Sequence, residues 1–198
     1  MSVEISPKRL KDGPWTEGYA LHIHMLSSNF VGYDEYGHTR FDNLRSPVGE
    51  LLYQLKYRSD QTAVDQLAEA AADFLKTWKP PVEGIVPVPP SITRINQPVI
   101  AVATALAKRA GIPLLGTCLS KVKQTPQLKD IVEYDKRTEA LTDAFSVVAK
   151  QTTGKTLLLF DDLFGSGATV NHIVEVLKNH GGAIAVYLLT LTTKIGAL

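Results

Sequence analysis

Apolar and polar residues follow two different patterns, before and after about residue 46. In the first part, residues 19–26 alternate like a strand, and residues 32–37 have the composition of a turn before a short extended piece at 39–41. Six of the fifteen aromatic residues and three of the five histidines lie in this part. The pattern predicts a small β-rich cap, or hood, over residues 1–45.

From Ser46 onward, segments with helical spacing alternate with short apolar runs. Pro47 suits the first turn of a helix, and prolines or glycines follow the later helical segments. The predicted helices are 47–57, 61–79, 96–110 and 167–179, and the predicted extended segments are 84–90, 113–119, 155–160 and 183–192. Runs of Val, Ile and Leu on both strand faces are typical of parallel sheets covered by helices. We therefore expect an α/β core over residues 46–198, with a parallel sheet of about five strands.

Composition narrows the class of protein. The chain has 198 residues, 44% hydrophobic and 21% charged, with a net charge of +1, so bulk charge does not indicate nucleic acid as a partner. Cys118 is the only cysteine, which excludes an internal disulfide and favours a reducing compartment. No apolar run approaches the roughly 20 residues of a membrane helix, and the first residues lack a signal-peptide pattern. We expect a soluble, cytoplasmic protein that does not bind membranes.

Residues 157–169 carry the most informative pattern. Four apolar residues precede Asp161 and Asp162, and after two further apolar residues comes a loop of small residues that opens a helix. The loop consists of Gly165, Ser166, Gly167, Ala168 and Thr169. Free backbone N–H groups at a helix N-terminus bind phosphate, and carboxylates at the end of a strand accept hydrogen bonds from sugar hydroxyls. The pattern predicts a ribose 5-phosphate site.

These thirteen positions resemble the phosphoribosyl-pyrophosphate (PRPP) motif of type I phosphoribosyltransferases. Gly165 departs from the motif, because Thr or another small residue is more usual there; the backbone donor survives. The resemblance implies the type I phosphoribosyltransferase fold, with residues 165–169 on the 5-phosphate and the two aspartates on the ribose hydroxyls. From the residues alone, the acid pair is also compatible with a Mg²⁺ site of a receiver-like or phosphatase-like fold, in which Asp161 would be a nucleophile.

Within these enzymes the chain resembles the ComF-like (competence protein F) group over roughly residues 49–192. The resemblance is carried by residues 55–58, 86–90 with Arg94 and 96–97, and 121–127 with Arg137 and 144–145. Lys56 follows the group's pattern, and we interpret it as structural rather than catalytic. ComF-like proteins often begin with a Cys-rich zinc segment, which this chain lacks. The group's association with DNA uptake makes a regulatory or accessory role, without transfer activity, the alternative function.

The resemblance assigns two further segments. The pyrophosphate loop would be Pro90, Ser91, Ile92, Thr93 and Arg94, although the glycine expected after the arginine is missing. Lys121, Lys123 and Arg137 fall in the segment that corresponds to the flexible catalytic lid, where cations approach the leaving group. Arg94 can also be interpreted as a surface arginine on a turn, and the lid as a solvated charged loop.

The implied reaction is the transfer of ribosyl 5-phosphate from PRPP to a nitrogenous acceptor, with release of pyrophosphate, in nucleotide metabolism. Mg²⁺ would be the cofactor, held mainly through PRPP rather than by direct protein ligands. Many such enzymes are homodimers. The sequence leaves the acceptor open, because the hood aromatics Phe30, Tyr33, Tyr36 and Phe41 suit either base stacking or a hood core. His22 and His24 share one strand face and, with His38, are interpretable as metal ligands or as ordinary strand residues.

Overall fold

The computed structural model describes residues 3–90, 97–123, 136 and 139–196. Its strands are β1 (Lys8–Leu10), β2 (Gly18–Ile23), β3 (Met25–Tyr33), β4 (Thr39–Arg45), β5 (Gly84–Pro87), β6 (Leu119–Lys121), β7 (Phe145–Val147), β8 (Thr156–Phe164) and β9 (Ala185–Thr193). Its helices are α1 (Pro47–Tyr57), α2 (Thr62–Trp78), α3 (Pro98–Ala110), α4 (Ala149–Thr152) and α5 (Ala168–Asn179). The helices predicted from the periodicity are all present, and the predicted start of α3 at Asn96 lies outside the described residues.

The main sheet has five strands in the order β1-β2-β9-β8-β5. β2, β9, β8 and β5 are parallel, and β1 runs antiparallel to β2 at the edge. The expected parallel sheet of about five strands is confirmed. Beyond β5, Leu114 makes a parallel bridge to Ile85, within the segment predicted to be extended at 113–119.

β2 lies in this sheet, although the alternation at 19–26 suggested a strand of the N-terminal hood. Ala20 and Leu21 point to opposite faces, and both are fully buried. A strand buried on both faces needs a neighbour in a covered sheet, and β9 supplies that neighbour. The boundary at residue 45 between hood and core stays a prediction, but the part of the hood outside the main sheet is the β3–β4 hairpin.

The β3–β4 hairpin forms a separate two-stranded antiparallel sheet with two register irregularities. Phe30 lies opposite Phe41, and the Phe30 ring contacts those of Phe41 and Tyr33 at centroid distances of 5.9 and 5.3 Å. These rings are 50–67% exposed. The aromatic side chains of the hairpin therefore cluster with one another at the surface and do not form a buried hood core.

Helices cover both faces of the main sheet. Leu158 and Phe160 of β8 pack into a core formed with α1, α2 and α3, whereas Leu157 and Leu159 pack into a second core formed with α5, β6 and β7. Alternate residues of β8 thus serve opposite faces, as the two-residue period of a strand requires. This alternation, called strand parity below, determines to which face of the sheet each polar residue at the end of β8 points.

α1 is fixed firmly at the end of β2. The Ser46 hydroxyl accepts a hydrogen bond of 3.0 Å from the Gly49 N–H, which caps the helix, and Leu52 and Leu55 are buried. A side chain at Gly49 would collide with the carbonyl oxygen of His24, so this turn of the helix lies directly against the backbone after β2. Among the described residues, no helix has both the length and the hydropathy of a membrane span.

Candidate functional site

The acid pair lies inside β8, not after it. The strand was predicted to end at Phe160, but its pairing with β9 continues to Phe164, opposite Thr193. Asp161 lies opposite Thr190, and both aspartates are half-buried. The backbone ladder extends further than the apolar run that predicts it, because the neighbouring strand supplies partners irrespective of side-chain polarity.

The two carboxyl groups point to different faces of the sheet. Strand parity places Asp161 on the α5 face, with Leu157 and Leu159, and Asp162 on the α1 face, with Leu158 and Phe160. The Asp162 backbone N–H donates to the Asp161 carboxylate at 2.8 Å. One carboxyl group therefore faces the helix that follows the small-residue loop, and the other faces the end of α1.

Burial and the neighbouring negative charge alter the chemistry of the pair. Burial raises the pKa of Asp161 well above its ordinary value, and the Asp162 carboxylate raises it further. The Asp162 N–H and the Lys56 ammonium act in the opposite direction without cancelling the rise. Burial therefore favours a protonated Asp161 beside an Asp162 that is paired with a cation.

That cation is Lys56, whose ammonium lies 2.7 Å from the Asp162 carboxylate. Their side chains are 20% and 17% exposed, so the pair is largely shielded from water. From the sequence, Lys56 was interpreted as structural. Its proximity to the acid pair could not be predicted there, because it depends on the packing of α1 against the sheet. Strand parity of β8 was the one available signal, because it puts Asp162 on the face that α1 covers.

His24 connects the start of the hairpin to the same strand end. Its Nδ1 lies 3.2 Å from the Thr192 hydroxyl, which donates at 3.0 Å to the Asp162 carbonyl. Because the hydroxyl hydrogen is used in that second bond, His24 Nδ1 is the donor in the first. Burial and then the cation of Lys56 lower the pKa of His24, which favours the neutral ring.

The small-residue loop leads directly into α5. Gly167 has φ of 79° and directly precedes α5, which has no acidic residue in its first turn. Ala168 is buried, Ser166 is exposed, and Gly165 and Thr169 are half-buried. A Cβ at Gly165 would meet nothing within 4 Å, so the departure from the motif there is not forced by lack of space.

The predicted pyrophosphate loop begins next to the acid pair. Val88, just after β5, donates its N–H to the Phe160 carbonyl at 2.8 Å, so the chain leaves the sheet beside Asp161. Pro90 is exposed. Ser91, Ile92, Thr93 and Arg94 lie outside the described residues, and their roles stay predictions.

β6 and β7 pair at the base of the predicted lid. Lys121 is half-buried, and burial lowers its pKa. The Lys123 ammonium donates to the Thr142 carbonyl at 3.4 Å. Arg137 lies outside the described residues. The catalytic assignment of Lys121 and Lys123 therefore stays a prediction.

The histidines are not gathered together. The His22 ring is buried, His24 contacts Thr192, and His38 pairs with Asp34 at 3.1 Å near the exposed turn of the hairpin. In the described ranges, no group of three His, Cys, Asp or Glu side chains is placed to hold a metal ion.

A cavity of about 210 Å³ lies away from these residues, between the C-terminal ends of α2 and α3. Its two cations, Lys76 and Arg109, are already paired with Asp73 and Asp65. The strand ends, rather than this cavity, hold the chemistry that the motif predicts, because open α/β sheets bind ligands at the carboxyl ends of their strands.

Comparison with solved structures decides the fold class. The chain resembles an adenine phosphoribosyltransferase with a TM-score of 0.50 and 13% identity over 87% of this chain and 88% of that one. The adenine phosphoribosyltransferase of Thermoanaerobacter pseudethanolicus gives 0.46 and 16% over 84% and 95%. The allosteric regulatory enzyme of purine biosynthesis gives 0.45 and 20%, and here 66% of this chain spans only 26% of that one.

The fold is that of the type I phosphoribosyltransferases, as predicted. At these identities the likeness establishes the fold alone. No protein-family model matches the sequence. No curated protein matches it either. The grouping with ComF-like proteins stays a prediction.

Proposed function

We propose that the protein binds PRPP with Mg²⁺ and transfers its ribosyl 5-phosphate to a nitrogenous acceptor, releasing pyrophosphate. The observation that carries the proposal is the continuity of β8 into the glycine loop and α5. This continuity puts two carboxyl groups and a helix N-terminus at the carboxyl edge of one parallel sheet. An anion site beside diol acceptors has the chemistry of a ribose 5-phosphate site.

In this scheme the backbone N–H groups of residues 165–169 hold the 5-phosphate, assisted by the hydroxyl groups of Ser166 and Thr169. Asp161 and Asp162 accept hydrogen bonds from the 2- and 3-hydroxyls. As the bond from the ribose C1 to pyrophosphate breaks and the acceptor nitrogen forms its bond, the Asp162 carboxylate, and Asp161 in its ionised form, offset the positive charge on the ring. Positioning and electrostatics provide the catalysis.

The donor set near the acid pair suits Mg²⁺ only in combination with the substrate. Mg²⁺ takes six oxygen ligands, and two carboxyl groups on opposite strand faces, one of them paired with Lys56, cannot form a protein cage. Bound through PRPP, the ion would neutralise charge on the leaving pyrophosphate. Arg94, Lys121 and Lys123 are the proposed protein cations for the same purpose.

The direct test is thermal stabilisation. PRPP with Mg²⁺ at about 100 times the dissociation constant should stabilise the parent by about 2.7 kcal/mol, and the double variant Asp161→Asn, Asp162→Asn should lose this stabilisation. Asn keeps the size of each side chain and removes its charge. Equal stabilisation of parent and double variant would show that the ribose contacts are assigned to the wrong residues.

Binding without transfer is the second candidate, and two observations favour it. The Lys123 ammonium is engaged by the Thr142 carbonyl, and the pyrophosphate loop lacks the glycine of related sequences. A regulatory protein needs the PRPP site without the cations that assist the leaving group. Release of pyrophosphate from PRPP, measured with a panel of bases and amines, separates the two functions: a background rate together with tight PRPP binding identifies the regulator.

A phosphohydrolase with Asp161 as its nucleophile fits the site less well. Burial raises the pKa of Asp161, which favours its uncharged form, and an uncharged carboxyl group is a poor nucleophile. The same group already accepts a hydrogen bond from the Asp162 N–H, which occupies one of its lone pairs. Protection or stabilisation by aluminium or beryllium fluoride would be the observation in favour of that reaction.

A further inference from the structure

Lys56 stands apart from the motif that predicts the site, yet it makes the closest described contact to it, 2.7 Å from the Asp162 carboxylate. We infer that Lys56 is a positioning residue, whose ammonium orients the Asp162 carboxylate toward the ribose hydroxyls and lessens the repulsion between the acid pair and an anionic ligand. The inference rests on the proposed PRPP-binding function and adds a residue to it.

The helix that carries Lys56, α1, is held rigidly against the sheet. α1 begins at the Ser46 cap, lies against the His24 carbonyl at Gly49, and buries Leu52 and Leu55. Lys56 follows Leu55 in the last turn of this helix. Its ammonium therefore approaches the strand end from a fixed backbone, unlike that of a lysine on a surface loop.

The ion pair between Lys56 and Asp162 is shielded from water. Both side chains of the pair are about one-fifth exposed, so water screens their attraction less than it screens a surface pair. Removing one partner of a shielded pair leaves the other charge without compensation. The carboxylate of Asp162 would then lose its fixed orientation and its nearest positive charge.

The ligand is itself an anion. PRPP carries several negative charges, and it is repelled by the Asp162 carboxylate and, once Asp161 ionises, by the Asp161 carboxylate as well. Lys56 lowers the pKa of Asp161, against the effect of burial and of Asp162. Replacing Lys56 by a neutral residue should raise the pKa of Asp161 further and shift the acidic limit of PRPP binding to higher pH.

Other charged groups lie around this end of the sheet. Arg45 at the end of β4 and Lys194 after β9, like Lys56, lower the pKa of His24, which follows β2. Arg45 is held by Glu50 at 3.3 Å and by the face of the Tyr53 ring, 3.8 Å from its centroid. The contact of 2.7 Å distinguishes Lys56 among these cations.

The experiment is calorimetric titration with PRPP and Mg²⁺ from pH 6 to pH 9, for the parent, Lys56→Met and Lys56→Arg. Lys56→Met keeps the aliphatic stem and removes the charge; we expect at least tenfold weaker binding at pH 7 and an acidic limit moved to higher pH. Lys56→Arg should recover most of the affinity. Lys76→Met is the matched control, because Lys76 also ends a helix and pairs with an aspartate at 2.7 Å, but at the surface.

Binding by Lys56→Met within twofold of the parent, with the same pH dependence, would overturn the inference while leaving the proposed function intact. A parent that does not bind PRPP with Mg²⁺ would overturn the proposed function and this inference with it. If Lys56→Met does not fold, Lys56→Gln takes its place with the same expected results.

Discussion

The end of β8 and the β3–β4 hairpin are both short polar stretches of strand near the same edge of the molecule, but they are held in opposite ways. β8 is paired in the main sheet, with fully buried residues up to Phe160 on both faces. The hairpin pairs only with itself and exposes its aromatic side chains. The comparison indicates that the acid pair gains its geometry from the core rather than from the hairpin.

The largest effect is expected from a matched pair of aromatic truncations. Phe160→Ala should destabilise the protein by about 3–5 kcal/mol, because Phe160 is fully buried directly before the acid pair. Phe30→Ala should cost about 1 kcal/mol or less, since the Phe30 side chain is 54% exposed. Denaturant unfolding of both variants measures the difference. Similar losses would show that the hairpin belongs to the cooperative core.

A smaller effect on stability is expected from a change of pH. The pKa of Asp161 is raised in the folded protein, so the folded state binds the proton more tightly than the unfolded chain. Its contribution to stability is therefore complete below the ordinary aspartate pKa and is lost as pH rises through the raised value.

Melting temperatures of the parent and Asp161→Asn between pH 4 and pH 9 test this expectation. Asn cannot ionise, so the variant should gain on the parent as pH rises. Asp34 in the hairpin provides the contrast, because its hydrogen bonds from the His38 and Tyr36 backbone lower its pKa, and Asp34→Asn should not gain at high pH. A parent and an Asp161→Asn variant with parallel pH profiles would contradict a protonated Asp161.

The smallest effect on stability is expected from two glycines. Gly167→Ala and Gly37→Ala each place a side chain at positive φ, 79° and 80°, at a cost of about 1–2 kcal/mol. A Cβ would also lie 3.1 Å from the Phe164 ring at Gly167 but would meet nothing within 4 Å at Gly37. Only Gly167→Ala should weaken PRPP binding in a titration with Mg²⁺. Equal affinities for the two variants would remove the loop from the proposed phosphate site.

The α/β fold and the order of strand, acid pair and glycine loop could be predicted because both depend on contiguous residues. The apolar run, the acid pair and the glycine loop follow one another in the chain, and the helix after Gly167 begins where its pattern indicates. Such local signals report on the adjacent backbone and require no knowledge of packing.

Three other features depended on contacts between distant segments. β2 was assigned to the hood because nothing in residues 19–26 shows that they pair with β9. Lys56 was interpreted as structural because its contact with Asp162 exists only after α1 has packed on the sheet. The full length of β8 was missed for the same reason, since its last four residues are held by β9.

The central place of β8, between β9 and β5, has a consequence for local unfolding. Fraying of the edge strand β1, or opening of the hairpin, breaks no hydrogen bond of the β8–β9 ladder. Backbone amides in that ladder should exchange with deuterated water only through global unfolding, and those of the hairpin through local opening. The acid pair would then persist in nearly every partially opened form of the molecule, so loss of ligand binding and loss of the whole fold should coincide.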